Sequence, residues 1–204
     1  NLVTEAHKRG IRVIIDLVLN HSADSHPWFK EACQYIRDNG TPGGKYGDYY
    51  NFSTEKLGGY SPVTGTNYYY ESRFWSGMPD LNLDSEKVRT EIVDIMTYWI
   101  NDHKVDGFRL DAVTSYYTGY VDKNVSFLSW LNGEAKKIDS DCYIVGEAWE
   151  TSDYLINRYY ESGIDSFFLF TGAQATGTIA NIVKQNSGKQ LGELMVNLQD
   201  TYKD

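Results

Sequence analysis

The feature that most constrains this chain is a regular alternation. Short, almost wholly apolar runs take turns with stretches whose apolar residues recur at helical spacing. Ile11-Arg12-Val13-Ile14-Ile15-Asp16-Leu17-Val18-Leu19 is too apolar for a strand with one face in water. Continuous apolar strands belong to parallel sheets covered on both faces. Leu2, Val3 and Ala6, followed by Gly10, read as the end of a helix closed by a glycine. Asp84 is a candidate N-cap, and beyond it Val88, Ile92, Ile95, Met96, Trp99 and Ile100 share a helical face. Val105 to Ala112 reads as the next strand, and Phe127, Leu128, Leu131, Ala135 and Ile138 mark another helix. Tyr143-Ile144-Val145 opens a third strand, Tyr154 to Tyr160 a helix, and Ser166 to Phe170 a fourth strand. Ile179, Ile182 and Val183, then Leu191, Leu194, Met195 and Leu198, predict a helical tail broken near Gly188.

This order predicts an α/β fold of parallel strands with helical crossovers. Two architectures fit: an open doubly wound sheet, or part of a TIM (β/α)8 barrel. No glycine-rich phosphate loop follows any strand, which counts against the nucleotide-binding doubly wound form. Four strands are half of what a barrel needs, so the barrel reading makes this chain a middle portion of one. From His21 to about Leu83 the pattern lapses into glycine pairs, prolines and tyrosines with little periodicity. That is too long for an ordinary connection and predicts a functional excursion from the main fold.

Composition narrows the partners. Lysine and arginine total 19 against 28 acidic residues, a net charge of −9. Nucleic acid is excluded as a partner, because phosphate binding requires a basic face. An anionic membrane surface is disfavoured for the same reason, and no apolar run is long enough to insert. Cys33 and Cys142 lack metal-ligand spacing and read as buried or half-buried free thiols. Aromatic residues make up 15%, with 17 tyrosines; their flat apolar faces and polar edges suit sugar rings.

The polar residues cluster where the predicted strands end. Asp16, Asn20 and His21 sit at the end of the first strand, Arg109 and Asp111 at the end of the second, Glu147 and Trp149 at the end of the third. In parallel α/β folds these carboxyl ends open on one face, where chemistry is done. Each residue has a plainer reading: an N-cap for a lone aspartate, a structural ion pair for Arg109 and Asp111, a loop anchor for Glu147. Their coincidence on one rim favours a site. Two carboxylates from neighbouring strands suit glycosidic bond cleavage. An arginine beside Asp111 favours its ionised form, and an indole beside Glu147 favours a carboxyl that keeps its proton. Environment would thus separate nucleophile from general acid.

These segments resemble those of the α-amylase family of glycoside hydrolases. Asp16-Leu17-Val18-Leu19-Asn20-His21 is similar to the family's segment at barrel strand three, Gly107-Phe108-Arg109-Leu110-Asp111-Ala112 to that at strand four, and Gly146-Glu147-Ala148-Trp149 to that at strand five. Met78-Pro79-Asp80-Leu81-Asn82 is similar to the auxiliary segment of the family's inserted domain B. The resemblance implies barrel strand three and its preceding helix in residues 1–20, a domain B-like insertion in 21–83, and strands four to six with their helices in 84–204. It implies Asp111 as nucleophile and Glu147 as acid/base, with Arg109 positioning Asp111, His21 bonding the innermost sugar and Asp16 supporting the site. Trp75, Tyr116 and Trp149 are candidates for stacking on glucose rings, and core packing is the equal alternative for each. The substrate implied is starch or another α-glucan or maltooligosaccharide, cut at α-1,4 bonds, and an extracellular setting is the family's habit.

The family's Asn-His-Asp segment at strand seven is not present, nor are strands one, two, seven and eight. Thr114 and Ser115 stand where many members carry a Lys-His pair whose histidine serves a shared calcium site. Calcium is thus left with Asn20 as its one named ligand. Alternatives stand beside hydrolysis: transglycosylation by the same intermediate, or a half-barrel that at most binds glucan. The 204 residues by themselves are expected to be inactive. Asn51 and Asn124 head Asn-X-Ser triplets, which arise readily by chance.

Overall fold

The computed structural model describes residues 1–150, 152–173 and 177–202. The chain forms two compact units: Asn1–Arg12 with Asp16–Val105, and Val13–Ile15 with Asp106–Asp204.

The first unit opens with α1 (Leu2–His7), capped by Asn1, whose side chain accepts the Thr4 N–H. Strand β1 (Ile14–Leu17) follows, its first two residues counted with the second unit. Then comes an element for which the sequence reading had no place: α2, Pro27–Asn39. Its signals lie among glycines and tyrosines. Proline sits at the first turn, where its missing N–H costs nothing. The His26 ring accepts the Trp28 N–H, and Phe29, Ala32, Cys33 and Ile36 form a buried stripe at helical spacing. Gly40 closes the helix in the left-handed region at φ 73°.

Strands β2 (Phe52–Ser53), β3 (Tyr60–Pro62) and β4 (Tyr69–Glu71) make an antiparallel sheet in the order β2-β4-β3. Many of the tyrosines here are core rather than display. The Phe29 ring meets Tyr50 and Tyr70 edge-on at 5.1 and 4.7 Å. Their hydroxyls are tied down as buried ones must be: Tyr70 donates to the Ser76 carbonyl, Tyr49 to Glu91, and Tyr50 pairs with Ser22. Helix α3 (Glu86–Thr97) starts at Ser85 rather than Asp84, because the Ser85 hydroxyl takes the Val88 N–H. A π-helical turn over Tyr98–Asp102 then rotates the register; Ile100 is buried and Trp99 half-buried, as is Ile95 in the helix before it.

In the second unit β5 (Gly107–Leu110) pairs in parallel with β6 (Tyr143–Gly146), which pairs in parallel with β7 (Ser166–Phe167). The sheet order is β1-β5-β6-β7. Helices α4 (Val121–Ile138) and α5 (Asp153–Tyr160) form the crossovers. They are followed by α6 (Phe170–Ala173), α7 (Thr178–Lys184) and α8 (Gly188–Thr201). Phe108, Leu110, Phe127, Leu128, Leu131 and Ile144 fill the space between sheet and α4, each 1% exposed or less. Two aspartates pin the strand starts: Asp106 accepts the Val13 N–H at 2.6 Å and Asp165 the Ile144 N–H at 2.7 Å. The fourth strand is shorter than its apolar run, because Phe170 leaves the sheet and stacks on Trp149.

Candidate active site

The carboxyl ends of β5 and β6 bring three predicted residues into contact. Alternation along β5 puts Arg109 and Asp111 on one side, and the parallel register sets Gly146 opposite Leu110. One guanidinium nitrogen of Arg109 meets Asp111 Oδ1 at 2.7 Å, and the other meets Glu147 Oε1 at 2.6 Å. A planar fork held at both ends keeps those two carboxylate oxygens within about 8 Å of each other, no farther apart than the widest glycosidase pairs. All three side chains retain some exposure, at 22%, 26% and 12%, so a ligand can reach them. The Glu147 backbone is fixed as well, by N–H to Leu110 O and by O to the Val113 N–H. Its Oε2 accepts the Ala112 N–H at 3.3 Å.

Asp111 and Glu147 share Arg109, and the Trp149 indole lies parallel on Phe170, 4.1 Å between centroids. Trp149 remains 58% exposed and offers its other face. Tyr116 requires a correction: it is 7% exposed and packs edge-to-face on Phe127, so its ring belongs to the core and cannot stack on a sugar.

The remaining residues lie in the first unit. Asp16 is an exposed residue within β1. His21 forms a bridge with Asp80 and its ring meets Phe74 edge-on at 5.5 Å. The Asn20 amide donates to Asp80 Oδ1 at 3.3 Å, and Asp80 Oδ2 accepts the Arg73 N–H at 3.0 Å. Burial pushes the Asp80 carboxyl up to about 6. Trp75 is 63% exposed, its ring laid over Gly77, where an added Cβ would come within 2.5 Å.

Around Asn20 the described residues assemble no cluster of acidic side chains for calcium. The Asn20 amide turns an N–H donor toward the Asp80 carboxylate, and that carboxylate also accepts the Arg73 N–H. No group of three or more His, Cys, Asp or Glu able to hold a metal occurs among the described residues, whereas calcium takes six to eight oxygens.

Two contributors escaped the sequence reading. Ala112 is a left-handed residue at φ 44°, ψ 48°, which no residue pattern announces. Asn124 heads one of the glycosylation triplets but is 1% exposed, closed to a glycan. A signal was present: Asn124 precedes Phe127 and Leu128 on the apolar stripe of α4, where a polar residue must have a reason.

The comparisons with known proteins agree with the geometry. The family model "Alpha amylase, catalytic domain" matches residues 1–202. Alpha-amylase 3 of Dictyoglomus thermophilum is 41% identical over 173 residues, covering 83% of this chain and 32% of that protein. The trehalose synthase/amylase TreS of Mycobacterium tuberculosis is 41% identical over 128 residues, 55% of this chain and 20% of that protein. The solved structure of Eubacterium rectale Amy13B superposes with a TM-score of 0.91 at 43% identity, over 99% of this chain and 40% of that one. The chain thus spans well under half the length of these relatives, and its sheet is an arc of a (β/α)8 barrel. On the order of its segments, the rim that carries them and a family match along nearly all of its length, the chain belongs to the α-amylase family of glycoside hydrolases.

Proposed function

We propose that the protein carrying these residues is a retaining α-glucan hydrolase that cuts α-1,4 bonds of starch or maltooligosaccharides. The observation that carries this reading is the single guanidinium of Arg109 shared by Asp111 and Glu147. Asp111 attacks the anomeric carbon as the bond to the leaving oxygen breaks, and Glu147 gives that oxygen its proton. The resulting glycosyl ester is opened by water, from which Glu147 recovers a proton. Arg109 orients both carboxyl groups and balances the charge of Asp111. The family resemblance assigns His21 and Asp16 to the sugar, and within their own units Trp149 and Trp75 each carry an exposed ring suited to stacking.

The test is substitution in the full-length protein. Asp111→Asn should cut kcat on maltooligosaccharides by at least about a thousandfold with folding preserved. Glu147→Gln should cost about 10²- to 10⁴-fold on the same substrates and far less on a glycosyl fluoride, whose leaving group needs no proton. Near-normal rates in either variant sink the assignment. A second reading, transfer of the glycosyl group to a sugar acceptor, draws on the similarity to a trehalose synthase/amylase. Products longer than the substrate would favour it.

A further inference from the structure

Glu147 is anchored twice, and the second anchor is built from an unusual piece of backbone. Its Oε2 faces the N–H of Ala112, a buried residue held in the left-handed region. That conformation is unfavourable for a residue with a Cβ, so the surroundings must impose it. The short 3-10 turn after it, Val113–Ser115, is gripped from α4 by Asn124. Asn124 Oδ1 accepts the Tyr117 N–H at 2.8 Å, while its Nδ2 donates to the Thr114 carbonyl and to Tyr159 Oη, both at 3.1 Å. One carbonyl of the turn, the N–H of Tyr117 just past it and one residue of α5 thus converge on a side chain that is 1% exposed. No alanine can do this. An aspartate would set a carboxylate against the Thr114 carbonyl.

We propose that Asn124 is a positioning residue for the acid/base: it fixes the turn that aims the Ala112 N–H at Glu147 and so holds that carboxyl in line for proton transfer. The proposal rests on the functional reading above. It concerns the proton-donating half of the reaction and not glucan binding, because Asn124 is sealed behind the turn.

The experiment compares Asn124→Ala, Asn124→Asp and Tyr159→Phe in the full-length protein on two substrates, a maltooligosaccharide and a maltosyl fluoride. Asn124→Ala and Asn124→Asp should each lower kcat on the oligosaccharide about 10- to 100-fold, with KM changed less than about twofold and the fluoride rate less than about threefold. Tyr159→Phe removes one of the three hydrogen bonds and keeps the packing, so it reads the effect even where Asn124 variants fold poorly. It should shift the same ratio of rates about threefold to tenfold. Equal losses on both substrates, a change mainly in KM, or an unchanged ratio in Tyr159→Phe would overturn the proposal. Glu147→Gln run alongside separates the two levels. If it shows no dependence on leaving group, the acid/base assignment has failed; if it does and the Asn124 variants do not, this inference has failed.

Discussion

Cys33 and Cys142 show how far a single residue can be read. Both were expected to be free thiols, buried or half-buried, and at 6% and 1% exposure they are buried. Burial pushes each thiol up to about 11 from the usual 9.0. The folded chain therefore keeps protons that an unfolded chain releases between those values. Each thiol's contribution to stability is complete below about pH 9 and declines as pH rises toward 11. Reactivity follows the same logic, since the thiolate is the nucleophile. Iodoacetamide at about pH 8.5 should leave both cysteines unmodified in the native protein and alkylate both in denaturant, as read by intact mass. Rapid native labelling would contradict the burial. Tyr116 and Trp149 mark the opposite limit: both were offered as sugar platforms, yet one is core and the other is half covered by Phe170. Nothing local to an aromatic residue says which face its neighbours will take.

At the scale of elements, what could be read followed periodicity. Helix α4 and strands β5 and β6 emerged near their predicted places because their apolar residues keep one period and are buried accordingly. The Arg109–Asp111 pair came with them, since a spacing of two on a strand forces a shared face. The Glu147 link to Arg109 did not, because it depends on how β6 registers with β5. Helix α2 was passed over because tyrosines and glycines around it drowned a short signal, though Pro27 and Gly40 bracket it as start and stop. Gly40 makes that bracket testable. An added Cβ there meets nothing within 4 Å, so Gly40→Ala isolates the penalty of a left-handed alanine. It should cost about 1–2 kcal/mol, a fall of roughly 2–8 °C in thermal midpoint. Gly58→Ala, equally uncrowded and without a left-handed φ, should be neutral or slightly stabilising. Equal effects of the two substitutions would mean that the αL cap does not hold α2.

For the whole molecule the deciding quantity is how much barrel a polypeptide brings to the chemistry. The sheet runs β1-β5-β6-β7, so β1 and β7 are its edges, each with backbone groups that a closed eight-stranded barrel would pair. The chain covers 32% of Alpha-amylase 3 and 40% of Amy13B. Arg109, Asp111 and Glu147 are held within one unit, so the pair of acids can form without the rest of the barrel. Having the acids is not sufficient. A glycosidase must also grip the sugar on either side of the bond and exclude water until the ester has formed, and that requires walls on all sides of the rim. The 204 residues expressed alone should therefore release no more reducing sugar from starch than their Asp111→Asn counterpart. The full-length protein should exceed both by at least about a thousandfold. Robust hydrolysis by the short chain, abolished by Asp111→Asn, would mean that these strands suffice for catalysis and that barrel closure serves stability alone.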